Sequence, residues 1–184
     1  MTRTFLFLKH FNKLMLVVMI SFMSPMATNA QEEDAQVEGS SAIEASVPFE
    51  ERRWDMSEES QTAFLDAYAK QDGVIKRPSG LLIKILERGN GAFPRHGQKV
   101  TVHYEGKTID GMVFDSSFAR QRPMSFGVDA VIRGWTEALV LMTEGSKWEI
   151  ALPANIAYGE RGSPPRIPPN ATLVFTVELL AVSN

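Results

Sequence analysis

Ten residues in the middle of the chain, Lys99 to Thr108, alternate in a way that leaves little choice of local structure. Side chains on a strand point to opposite faces in turn, so Val100, Val102 and Tyr104 share one face while Thr101, His103 and Glu105 share the other. Such a strand needs a sheet beside it and a core under its apolar face. Asp110-Gly111, a strong hairpin signal, returns the chain into a run from Met112 to Phe114. Leu81 to Glu87, Lys147 to Leu152 and Thr172 to Val182 read as further strands, the last two separated by a Pro- and Gly-rich loop from Pro153 to Asn170. The period changes between Val131 and Met142, where Ile132, Trp135, Leu139 and Met142 recur at helical spacing until Gly145 stops them. The fold class is therefore α+β, a twisted antiparallel β-sheet wrapped around one short α-helix.

The chain upstream is organised differently. A helix is predicted over residues 54–73, with Asp55 as its cap, Glu58 completing a capping box and Gly73 closing it. Phe64, Leu65 and Tyr68 fall on one face, ready either to dock on the following domain, residues 79–184, or to pair with a second copy in a homodimer. Residues 31–53 are acidic and poor in large apolar side chains, which reads as a flexible spacer. In residues 1–30, Arg3, Lys9 and Lys13 flank the apolar stretch Leu14 to Met23, and Ser24 to Ala30 follow as a small-residue exit. That order is a secretory signal peptide with cleavage after Ala30, and the apolar stretch is short of the roughly 20 residues a membrane-spanning anchor needs. Membrane contact is expected only through an uncleaved leader.

Several chemistries are excluded by what is missing. There is no cysteine, which removes disulfides, thiol catalysis and thiolate metal ligation. No pair of histidines has metal-ligand spacing and no G-x-S-x-G elbow occurs, so neither a metal nor a cofactor is expected. The basic residues form no clustered face of the kind that binding to a phosphate backbone demands, so nucleic acid is not an expected partner. What the chain has instead is aromatic and branched residues at strand ends, helix start and loops. Taken singly, each reads as core.

Their local sequences say more. Val102-His103-Tyr104, Phe114-Asp115-Ser116-Ser117, Val131-Ile132-Arg133-Gly134-Trp135, Ala157-Tyr158-Gly159 and Ile167-Pro168-Pro169-Asn170-Ala171-Thr172-Leu173 resemble, in order, the signature segments of FKBP-type peptidyl-prolyl cis-trans isomerases. With the leader and Trp135-Thr136-Glu137-Ala138-Leu139, the chain looks most similar to the bacterial macrophage infectivity potentiator-like branch. The resemblance implies the same fold and a site in which Trp135 is the floor for a proline ring, with Tyr104, Phe114, Phe126, Val131, Ile132, Ile167 and Phe175 around it. It implies polar contacts from Asp115, Tyr158 and the Ile132 N–H, with Arg120 as the partner of Asp115. Proline-containing polypeptides are the implied substrates, and the macrolides tacrolimus and rapamycin the implied inhibitors. Three departures bear on macrolide affinity: Met124 near an expected aromatic, a short segment between Pro123 and Val131, and Ser163 where some members carry His.

Two readings of such a site stay open: an isomerase, or a chaperone or docking module that binds Pro-containing segments without turnover. The loop from Ser163 to Pro169 either overhangs the site and reads residues beside the substrate proline or is a plain connector. Export is checked directly: the mature protein is expected to begin at Gln31 on N-terminal sequencing, and intact Met1 on purified membranes would contradict cleavage.

Overall fold

The computed structural model describes residues 47–184; the predicted leader and most of the predicted spacer lie outside them. Among the described residues seven antiparallel strands, β1 (Val74–Lys76), β2 (Leu82–Glu87), β3 (Lys99–Thr108), β4 (Val113–Ser116), β5 (Met124–Gly127), β6 (Lys147–Leu152) and β7 (Leu173–Ser183), form one sheet in the order β1-β2-β6-β7-β3-β4. β5 pairs with β3 beyond the end of β4. The alternation in β3 is as expected: Val100, Val102 and Tyr104 are buried and the residues between them face outward, half-covered.

The short helix α2 (Arg133–Leu139) lies in the concavity of the sheet and buries Trp135, Ala138 and Leu139 against Val100, Ile150, Leu152 and Val177. Its approach depends on Gly134. A Cβ there would stand 2.3 Å from Leu152 Cδ2, well inside contact distance, so only glycine lets the helix sit this close to β6. The helix is shorter than its apolar pattern: Ile132 is its extended N-cap, and Val140 to Met142 continue as turns, which still bring Met142 into the core.

The other face of the sheet carries the second helix, α1 (Glu58–Ala69). Phe64 and Tyr68 pack with Leu82, Ile109, Ala151 and Val174, so the apolar face of α1 is covered by its own sheet. Its start differs from expectation. Ser57 is the N-cap, its hydroxyl accepting from the Ser60 N–H, while the Asp55 carboxylate accepts from the N–H and hydroxyl of Ser57. Met56 packs against both apolar clusters, and with Ser57 as the cap Glu58 is the first residue of the helix rather than the far end of a capping box. The predicted spacer also ends earlier than residue 53. Phe49, in a single 3-10 turn, meets Trp54, Phe64 and Tyr68 in tilted and edge-on contacts at ring distances of 5.3–5.8 Å. Two short strands, β1 and β5, were not expected, and Gly73 serves the turn into β1 at φ +78°.

Tyr68 is buried beneath α1 and donates its hydroxyl to Glu149 Oε1 at 2.7 Å, and Glu149 in turn lies 3.8 Å from Lys107 Nζ. Burial, then the Glu149 charge and the hydrogen bond to it, push the phenol far above its ordinary value of 10.0. Tyr68 therefore contributes stability that is complete below pH 10.0 and declines above it, where the unfolded chain loses the proton and the folded one keeps it. Tyr68→Phe is expected to cost about 1.5–3 kcal/mol, the range for a hydrogen bond to a charged group, and to show a smaller alkaline loss in denaturant titrations from about pH 7 to 11.

Candidate functional site

On the concave side, elements from the whole domain meet around a cavity of about 410 Å³. β3 supplies Tyr104, β5 Phe126, β7 Phe175 and α2 Trp135, while Ala130, Val131 and Ile132 come from the segment leading into α2 and Tyr158 from the loop after β6. β4 supplies both Phe114 and Asp115. Neighbours on a regular strand point to opposite faces, so this requires a break in the strand. The break is a bulge: Gly106 pairs with Asp115 but Lys107 pairs with Val113, leaving Phe114 as the extra residue and turning both side chains toward the cavity.

The floor is built edge to face. Trp135 meets Tyr104, Phe126 and Phe175 at 5.4, 6.0 and 5.3 Å, with interplanar angles of 84–88°. Its indole N–H is buried and has no hydrogen-bond acceptor among the described residues. Phe114 and Phe175 meet in the same way at 5.6 Å, over Gly106. Gly106 lies opposite Phe175 in the ladder, and a Cβ on it would come within 2.5 Å of Phe114 Cζ and 2.7 Å of Phe175 Cε1.

The polar groups are at one side and mostly tied to each other. The Tyr104 hydroxyl donates to Asp115 Oδ2, Arg120 Nη1 donates to Asp115 Oδ1, and Arg120 Nη2 lies 3.3 Å from the Tyr104 hydroxyl. Burial works to raise the Asp115 carboxyl, but the bonds from Tyr104 and Arg120 and the guanidinium charge outweigh it and hold the group below its usual 3.8. Asp115 is ionised at neutral pH, an acceptor with both oxygens engaged. Burial chiefly, and the bond to Asp115, raise the Tyr104 phenol. Tyr158 is raised as well, by burial and then by the Asp115 charge, and its hydroxyl has no partner among the described residues. Ile132 caps α2 with its carbonyl, while its own N–H enters no hydrogen bond among the described residues.

A family model described as FKBP-type peptidyl-prolyl cis-trans isomerase matches residues 90–180. The 1.6 Å crystal structure of a peptidyl-prolyl cis-trans isomerase from Pseudomonas syringae pv. tomato is 37% identical, with a TM-score of 0.65 covering 68% of this chain and 92% of that one. The chain belongs to the FKBP-type peptidyl-prolyl cis-trans isomerase family. An FKBP-type 22 kDa peptidyl-prolyl cis-trans isomerase of Escherichia coli is 53% identical over 119 residues, 65% of this chain and 58% of that protein. The Outer membrane protein MIP of Legionella longbeachae is 48% identical over 122 residues, 66% of this chain and 52% of that protein. The chain thus spans about half the length of the curated relatives it matches.

Among the residues singled out by FKBP resemblance, Tyr104, Phe114, Asp115, Phe126, Val131, Ile132, Trp135, Tyr158 and Phe175 line the cavity. Arg120 does not line it but stands behind Asp115 as its ion partner. Ile167, expected at the wall, is turned into the core instead: paired backbone bonds with Ser163 close the loop on itself, and the Ile167 side chain is 4% exposed in the cluster that also holds Tyr104 and Trp135. The same loop leans on β4 through Arg166, whose Nη1 donates to the Phe114 carbonyl at 3.2 Å. Sequence reasoning missed Ala130 and Gly106, which have no side-chain chemistry to mark them. A second cavity of about 530 Å³, by α1, is lined in part by Phe49, Trp54, Tyr68, Lys107 and Glu149, but Tyr68 and Lys107 already occupy the Glu149 carboxylate there.

Gly106→Ala is expected to force Phe114 and Phe175 off their present packing at about 1–3 kcal/mol, the usual cost of overpacking, and to change the near-ultraviolet circular dichroism of the aromatic floor. Denaturant unfolding of the variant beside wild type measures both.

Proposed function

We propose that this chain is a peptidyl-prolyl cis-trans isomerase that accelerates rotation about the X-Pro bonds of other polypeptides outside the cytoplasm, with no covalent intermediate. The observation that carries the reading is the aromatic well floored by Trp135, large enough for a proline ring and lined also by Tyr158 and Ile132. Rotation about a peptide C–N bond loses amide resonance and costs roughly 18–20 kcal/mol, so uncatalysed exchange takes tens to hundreds of seconds. No bond is broken. A catalyst has only to hold the ring and bind the twisted amide better than either planar form.

The chain's residues suit that task in distinct ways. Trp135, Tyr104, Phe126, Val131, Phe114 and Phe175 surround the ring with apolar surface, which disfavours the charge-separated planar amide relative to the twisted one. The rotating carbonyl is an acceptor and needs donors, which the Tyr158 hydroxyl and the Ile132 N–H can supply. An ionised Asp115 cannot donate; its part is to fix Tyr104 and Arg120 in place. Proline-containing polypeptides are the substrates of this reading, and the macrolides tacrolimus and rapamycin are ligands to be tested against the same well. The leader in residues 1–30 supports export, as does the likeness to a relative named as an outer membrane protein. We read residues 79–184 as the isomerase domain.

The test is a protease-free isomerisation assay on a proline-containing tetrapeptide. Wild type is expected to accelerate exchange; Trp135→Leu and Asp115→Ala are expected to lower kcat/KM by about tenfold or more, some 1.4 kcal/mol each, and Tyr158→Phe by less than about threefold. A large loss in Asp115→Ala and Tyr158→Phe with Trp135→Leu near wild type would put electrostatics above shape. No acceleration by folded wild type would leave the binding module without turnover as the surviving reading.

A further inference from the structure

On its outer edge β3 is partnered by β4 as far as Glu105, opposite Ser116, and by β5 from Val102, opposite Met124. Between those pairs the chain leaves the sheet, and among the described residues His103 and Tyr104 have no strand beside them on that side. Tyr104 still has an N–H and a carbonyl there, and buried backbone groups must find partners. One residue supplies both. The Tyr104 N–H donates to Ser117 Oγ at 2.7 Å, and the Ser117 N–H donates to the Tyr104 carbonyl at 2.8 Å. The hydroxyl also lies 3.2 Å from that carbonyl and 3.0 Å from His103 Nδ1, whose ring stacks on Phe118. The Ser117 carbonyl accepts the Arg122 N–H at 3.2 Å, which closes the loop that carries Arg120. Ser117 is 0% exposed.

The side-chain partners of Asp115, Tyr104 and Arg120, are thus both held through Ser117: the first by its backbone, the second by its loop. We infer that Ser117 is a positioning residue of the site, setting the Tyr104 ring as a wall of the well and keeping Tyr104 and Arg120 on the Asp115 carboxylate. It touches no substrate and acts through those three residues. An alanine leaves the Tyr104 N–H buried without an acceptor, so β3 and the loop must part locally to reach water or another acceptor. The catalytic consequence rests on the isomerase reading above; the effect on Asp115 does not.

The experiment follows both in the full chain. Aspartate carboxyl carbons are observed by NMR through an acid titration, with Asp115 assigned by the signal lost in Asp115→Asn, and tetrapeptide exchange is measured on the same samples. In Ser117→Ala the Asp115 midpoint is expected to rise toward the ordinary carboxylate value, with exchange slowed on the order of tenfold, the scale of one buried hydrogen bond. Ser117→Cys keeps a small, weakly polar group in nearly the same volume and is expected to fall between the two; it decides the matter should Ser117→Ala not fold. Phe64→Leu, on the far face of the sheet, lowers stability alone and should leave both readings at wild type. A folded Ser117 variant with the wild-type Asp115 midpoint, or an equal shift in Phe64→Leu, overturns the inference. A wild type without isomerase activity would refute the reading of the well as catalytic, while the titration, which uses no substrate, would still decide Ser117.

Discussion

Ten residues of β3 run antiparallel to β7, from Lys99 opposite Ser183 to Thr108 opposite Leu173, and both faces of the domain are arranged around that ladder. The inward residues of β3 take three different sizes for three different purposes. Val100 and Val102 pack on α2 and the core, Tyr104 reaches to the rim of the well, and Gly106 withdraws to leave room for Phe114 and Phe175. On the outward side the row from β6 through β7 to β3 passes under α1, where Ala151 and Val174 meet Phe64 and Tyr68. The helix near the N-terminus is therefore part of the same folded unit as the sheet.

The proposed chemistry follows from how little reactive chemistry the site offers. The carboxylate is occupied by a phenol and a guanidinium, and its pKa is lowered rather than raised toward neutrality as a general acid needs. Rings in edge-to-face contact pack on a buried indole, an apolar environment in which water competes poorly for an amide. Such a site can shift the balance between planar and twisted amide without receiving or giving a proton. Rigidity matters because the gain comes from shape already in place when the substrate arrives.

Much of this could be read from the residues, because β3, β6 and β7 are long enough for their alternation to speak and the aromatic residues of the well lie in segments with a family likeness. What could not be read depends on contacts between distant parts of the chain. β1 has three residues and β5 four, too few for periodicity, and each exists because a neighbouring strand offers it hydrogen bonds. Asp55 reads as the better cap, but Met56 packs partly against the core and Ser57 takes the cap, with Glu58 as the first helical residue. Ile167 has the character of a wall residue, yet its bridge to Ser163 directs it into the core. The bulge at Phe114 and the clamp at Ser117 leave no mark in composition, since a phenylalanine and a serine are ordinary in a strand and a turn.

The central claim, that a preformed apolar well turns a prolyl bond without proton transfer, is tested most directly by exchange spectroscopy of a single X-Pro peptide with catalytic amounts of the chain in H2O and in D2O. The account predicts cis-trans exchange far faster than in the peptide alone and at nearly the same rate in both solvents. Exchange no faster than the free peptide, or slowed about twofold or more in D2O as rate-limiting proton transfer requires, would contradict it.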